Sequence, residues 1–156
     1  MIKLLRVAAV CISLLPLGAE ACTCFGWRLP EEEKIRNAFE KSEHVVLARV
    51  ISFAESEPSV EGIVRVTGAF ESVEEFKGPA LPMIPMYDEY RKDAFASSCG
   101  EGLPDLSVGD VALLYLREPE VGEWTFSYCS RSRLLQAPED DAEVKQLRSM
   151  RVRADG

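Results

Sequence analysis

The chain has 156 residues, a formal charge of −8 at pH 7 and a single histidine. An acidic surface repels phosphate backbones, which argues against nucleic acid as a partner, and one histidine cannot build a histidine-rich metal site. The length suits a leader plus one domain with a real core.

Lys3 and Arg6 precede an apolar run, Val7 to Leu17, broken only by Ser13, and Ala19 and Ala21 supply the small residues of a cleavage site. Residues 1–21 therefore read as a signal peptide, too short for a transmembrane helix, and no second apolar stretch long enough to span follows. Cleavage after Ala21 would leave 135 residues beginning at Cys22. It would also remove Lys3, Arg6 and Glu20, moving the charge to −9. Acylation of Cys22 is the competing reading. It is disfavoured because Ala19 and Glu20 stand where a lipid-attachment site has Leu and a second residue of its motif. The expected location is secreted or periplasmic.

Phe25-Gly26-Trp27-Arg28-Leu29-Pro30 is an irregular opening segment. Pro30 followed by Glu31, Glu32 and Glu33 starts a helix, since proline fits the first turn and acids face the positive end of the dipole. Ile35, Ala38 and Phe39 share one face, so Pro30 to Lys41 is predicted as a short amphipathic helix. Strands are predicted over Val45 to Phe53 and over Ile63 to Phe70, resuming at Val73 to Phe76, with a bulge at Gly68. Three prolines between Pro79 and Pro85 limit Met83 to Tyr87 to an edge strand or an extended crossing. Ser97 to Gly102 is a polar turn around Cys99, and Val111 to Leu116 and Trp124 to Cys129 complete the extended segments. A second amphipathic stretch, Glu139 to Val152, turns Val144 and Leu147 inward. Its acids, Glu139, Asp140 and Asp141, are expected in the first turn and Arg148, Arg151 and Arg153 in the last. The sum is a small closed β-barrel with flanking helices.

Cys11 leaves with the leader, and Cys22, Cys24, Cys99 and Cys129 remain, an even number in an exported chain. A bridge between Cys22 and Cys24 would be strained, so each N-terminal cysteine is expected to join a distal one. Which joins which stays open at this point.

Cys22-Thr23-Cys24 at the cleavage site, Ala38-Phe39, the run Ser42 to Val50, Glu75-Phe76-Lys77-Gly78, Ser98-Cys99-Gly100 and a final Cys129 occur in that order. Together they resemble the N-terminal domain of the tissue inhibitors of metalloproteinases, the netrin-like module, in the form of a bacterial-type relative. The resemblance covers about residues 22–135. It implies a mainly β fold, a five-stranded OB-type closed barrel with flanking N- and C-terminal helices and two disulfides, Cys22 to Cys99 and Cys24 to Cys129. In these terms residues 1–21 are the leader, 22–137 the netrin-like domain and 138–156 a C-terminal helix and tail. The resemblance further implies that Cys22 chelates the zinc of a target peptidase through its α-amino nitrogen and carbonyl oxygen, with Thr23 pointing into the adjoining specificity pocket. The chain departs from the animal inhibitors in having Glu40 where a third bridge would start, Phe25-Gly26-Trp27 after the second cysteine, and a short Ala54 to Glu61 loop.

Without the resemblance, Cys22 reads as a staple for the N-terminus, Cys24 as structural and His44 as a helix-to-strand junction. The acid clusters read as helix caps and solvated faces. Trp27, Tyr87, Tyr90 and Trp124 could line a ligand groove, although Trp124 fits the core better. No nucleophile elbow, phosphate loop or metal-ligand spacing is present, so the chain is not expected to be an enzyme or to need a cofactor. The expected function is inhibition of a zinc metallopeptidase. The alternative is a non-inhibitory exported module that uses the same barrel to dock a protein.

Overall fold

One strand, β1 (His44–Glu55), serves both hydrophobic cores, because its apolar run leaves neither face polar. In the computed structural model, which describes residues 28–91, 106–117, 122–125 and 128–154, β1 pairs antiparallel with β2 (Ile63–Lys77) on one side and β4 (Val111–Leu116) on the other. Beyond β2 lies β3 (Met83–Arg91), then a two-residue parallel strand, β5 (Trp124–Thr125). Beyond β4 lies β6 (Arg133–Leu135). The sheet order is therefore β5-β3-β2-β1-β4-β6, a curled six-stranded half-barrel.

The pleat divides the side chains. Val46, Ala48 and Val50 of β1 meet Val64, Val66 and Phe70 of β2, Ile84 and Met86 of β3 and Leu114 of β4 in the hollow of the curl. Val45 and Leu47 point the other way, with Leu113 and Tyr115, toward two helices. These are α1 (Glu31–Lys41), which contributes Ile35, Ala38 and Phe39, and α2 (Ala142–Ala154), which contributes Val144, Leu147 and Met150. α1 follows Pro30 as expected. Its last carbonyls are satisfied by Lys77 Nζ on Phe39 O (2.7 Å) and Glu40 O (3.0 Å), and by the Ser42 hydroxyl on Ala38 O (2.8 Å).

Several expectations need correction. The predicted Ile63 to Phe70 and Val73 to Phe76 pieces are one strand, and Gly68 lies in unbroken register opposite Phe53. The extra residues that curve the pair are Ile51 on β1 and Val73 and Phe76 on β2, each skipped by the pairing. Being out of alternation explains why Ile51 and Val73 are apolar yet exposed. Gly68 serves packing instead. A Cβ there would lie 3.2 Å from the Phe70 ring, so the glycine lets that buried ring lie over the strand.

Met83 to Tyr87 is a full strand extending to Arg91, paired with β2 throughout and with β5 only at Met86 and Tyr87. Pro85 stands opposite Ala69 of β2 and has no partner on the β5 side, so on that side its missing N–H costs no ladder bond. Strand Trp124 to Cys129 is shorter than expected: β5 ends at Thr125, and Tyr128–Ser130 form one 3₁₀ turn. Arg131 then adopts φ 75° and turns the chain into β6, which sequence reading did not foresee. The sheet has six strands where five were expected, and no ladder joins its two ends among the described residues. Glu139, Asp140 and Asp141 precede α2 rather than forming its first turn. The expected turn around Cys99 lies outside the described residues.

Candidate functional site

Of the residues implicated by the resemblance, Cys22, Thr23, Cys24 and Cys99 lie outside the described residues, as does Trp27. Cys129 is described: it sits in the middle of the 3₁₀ turn and is disulfide-bonded. The surroundings of that turn are the part of the expected site whose geometry can be read.

The turn is tied to the sheet by hydroxyls. Ser130 Oγ lies 2.8 Å from Ser132 Oγ, and the buried Ser132 Oγ accepts the Tyr115 backbone N–H at 2.9 Å. Between them Arg131 sits in the left-handed region, the only described non-glycine residue with positive φ. Such a conformation costs about 1 to 2 kcal/mol for an L-residue, so its surroundings must hold it there.

They do so through its guanidinium. Arg131 donates from Nε and Nη2 to Glu143 (3.0 and 2.8 Å) and from Nη2 to Glu31 (2.6 Å). Glu143, on the first turn of α2, is 5% exposed and also accepts from Tyr115 Oη (2.6 Å) and Arg133 Nη2 (3.1 Å). Arg133 reaches onward to both Asp141 oxygens at 2.9 Å. Asp141 in turn caps α2, accepting the backbone N–H of Glu143 (3.0 Å) and Val144 (3.1 Å). Among the described residues no buried side-chain polar atom is left without a partner.

The electrostatics follow from this wiring. Burial pushes the Glu143 carboxyl up, but Arg131, Tyr115 and Arg133 outweigh it and hold the carboxyl below its ordinary range. Asp141 is likewise raised by burial and lowered further by Arg133 and the α2 amides, and ends below its ordinary value. Arg131 lowers the Glu31 carboxyl, against a smaller opposing effect of burial. Burial and the Glu143 charge push the Tyr115 phenol well above its usual value. Each carboxylate stays charged and each arginine is shared between two of them, so the cluster fixes position rather than moving protons.

Arg131 spans the structure. It joins the first turn of α1, the residues just after Cys129 and the first turn of α2. Sequence reading missed it, because Arg131-x-Arg133 and Asp141-x-Glu143 are ordinary surface spacings and Glu31 is a hundred positions away. The one legible hint was two arginines on alternate residues, the first of them two residues after a half-cystine.

The other singled-out residues resolve as packing. His44, the first residue of β1, stands edge-on to Trp124, ring centroids 6.0 Å apart. Trp124 packs against the hollow core and donates its indole N–H to Arg117 O at 2.8 Å. Tyr87 and Tyr90 do not share a groove: Tyr90 packs toward the hollow, whereas Tyr87 lies under the Arg65 guanidinium on the opposite face. Among the described residues no three His, Cys, Asp or Glu side chains are grouped to hold a metal ion. No described helix is long and apolar enough to cross a membrane.

No protein-family model matches this chain, and no curated protein matches it. The reading of function therefore rests on the residues and their geometry.

Proposed function

We propose that the chain is an exported netrin-like domain that inhibits a zinc metallopeptidase, with the Cys22 α-amino nitrogen and carbonyl oxygen chelating the target's zinc and Thr23 beside it in the target's specificity pocket. The observation that carries this is the Arg131 to Glu31 bond, 2.6 Å long. It clamps the start of α1, seven residues after Cys24, to a point two residues after the disulfide-bonded Cys129. Seven extended residues reach at most about 25 Å, so a Cys24 to Cys129 bridge is within the tether's span. A chain so held supports a fixed register for the residues just before Cys24. Fixing them in advance removes ordering cost from binding, a catalytic zinc keeps an open position, and an α-amino group with pKa near 8 is partly neutral at physiological pH.

The finer fold belongs to the same proposal. A closed OB-type barrel requires the β5 end of the sheet to meet β4 and β1. The His44 to Trp124 ring contact and the Trp124 bond to Arg117 O support that closure.

Three measurements test the reading. N-terminal mass spectrometry of the exported protein should give a free amine on Cys22, and non-reducing peptide mapping should recover Cys22 to Cys99 and Cys24 to Cys129. One alanine added before Cys22 should then abolish inhibition and leave both bridges intact. Should the parent protein fail against a broad panel of zinc peptidases, or the extended one inhibit equally well, the domain is a docking module instead.

A further inference from the structure

Away from the N-terminal site, a cavity of about 290 Å³ opens between α1, the end of β2 and the last turns of α2. One side is apolar: Phe39, Phe76 and Met150, all part of the helix-side core or packed against it. The other side carries Lys77, Arg151 and Glu75, whose Oε1 is taken up by the Leu81 backbone N–H at 2.8 Å and the Ser72 hydroxyl at 3.3 Å. Neither cation forms an ion pair among the described residues, although the protein as a whole carries a charge of −8.

Both cations are nevertheless fixed in place. Lys77 Nζ donates to Phe39 O and Glu40 O and lies 5.2 Å from the Phe39 ring centroid, and Arg151 Nη1 donates to Glu75 O at 2.7 Å. Carbonyls hold the two heads without neutralising them, and they leave one ammonium hydrogen and most of the guanidinium donors unused. Two preset cations against one carboxylate already bonded elsewhere leave a net positive side facing three apolar side chains, which suits an amphipathic anion. A volume near 290 Å³ lies just below the usual range of ligand pockets, about 300 to 1,000 Å³, which restricts the ligand to a small one.

We propose that this cavity binds a small amphipathic monocarboxylate, its apolar body against Phe39, Phe76 and Met150 and its carboxylate on Lys77 and Arg151. The site is separate from the N-terminal clamp and does not depend on metallopeptidase inhibition.

The test titrates octanoate, and octylamine as the matched cation, into the ¹⁵N-labelled exported protein. Octanoate should shift the amides of Phe39, Phe76, Lys77 and Met150 saturably, and octylamine should leave them in place. Arg151→Gln should weaken octanoate binding about tenfold or more while the remaining spectrum is unchanged, as loss of a charged hydrogen bond predicts. Lys77→Met should weaken it too, but it also strips bonds from the end of α1, so Arg151→Gln is the deciding variant. Equal shifts from octanoate and octylamine would overturn the proposal. So would undiminished binding by Arg151→Gln, or no saturable shift at millimolar octanoate.

Discussion

Arg131 allows charge and backbone to be separated experimentally, because it combines a buried ion pair with a left-handed φ of 75°. Arg131→Ala removes two of the four hydrogen bonds to Glu143, a carboxylate that is 5% exposed, and the single bond to Glu31. The Glu31 pair is surface-exposed and contributes under about 1 kcal/mol. The Glu143 bonds are charge-assisted and buried, but Arg133 and Tyr115 remain, so the loss falls short of stranding a bare charge. A total near 3 kcal/mol is expected. Arg131→Gly makes the same deletions and removes the Cβ that disfavours positive φ, which returns about 1 kcal/mol. Glycine should thus be the less damaging substitution, the reverse of its usual order against alanine. Urea unfolding at pH 7 with disulfides intact reads both values through the midpoint at constant slope. If alanine is as stable as glycine, the left-handed turn is not a source of strain. If both lie within about 0.5 kcal/mol of the parent, the clamp is not holding the turn.

Gly78→Ala should be more damaging than its exposed position suggests: φ is 90° and an added Cβ would lie 2.5 Å from His44 Nδ1 and 2.6 Å from Glu43 O. A loss above about 2 kcal/mol is expected in the same urea assay, and a near-neutral result would contradict the close approach. Acid should weaken the fold through Glu31, Asp141 and Glu143, whose carboxyls are lowered in the folded state. Lowered carboxyls add stability that is fully present above their unfolded values of 4.5, 3.8 and 4.5 and is lost as pH falls through the folded ones. The urea midpoint should therefore drop below about pH 4.5, and less steeply in Glu143→Gln; parallel curves would show that Glu143 does not contribute.

What could be read from the sequence depended on how far each signal extended along the chain. β4 was legible to the residue, and β1 to within two, because each is an apolar run buried on both faces. Val144 and Leu147 were legible as the inward face of α2, while its start was misread because Asp141 acts as the cap rather than as first-turn charge. β6 is three residues long, too short for any period to show. Glycine is the local marker for a bulge, and it points to Gly68. The residues that curve the sheet, Ile51 and Val73, are β-branched and look like ordinary strand. The Arg131 cluster was illegible for another reason: its partners lie on three elements and meet only once α1 and α2 cover the same face of β1 and β4.

That arrangement gives the Cys129 turn two independent attachments. One is covalent and, in the proposed pairing, runs to the segment that precedes α1; the other is the Arg131 bond to Glu31, on α1 itself. In that proposed pairing the covalent tether would limit how far Cys24 lies from the turn but not the direction in which the chain leaves it. The ion pair fixes where the chain must arrive at the start of α1. Reduction would remove the first constraint and leave the second, since Glu143, Tyr115 and Arg133 still hold Arg131 and its turn against the sheet. The helix-side scaffold is thus held by burial and charge, whereas under the proposed pairings the register of the residues before Cys24 would depend on the disulfides, so a reduced protein that keeps its fold would be expected to lose inhibition.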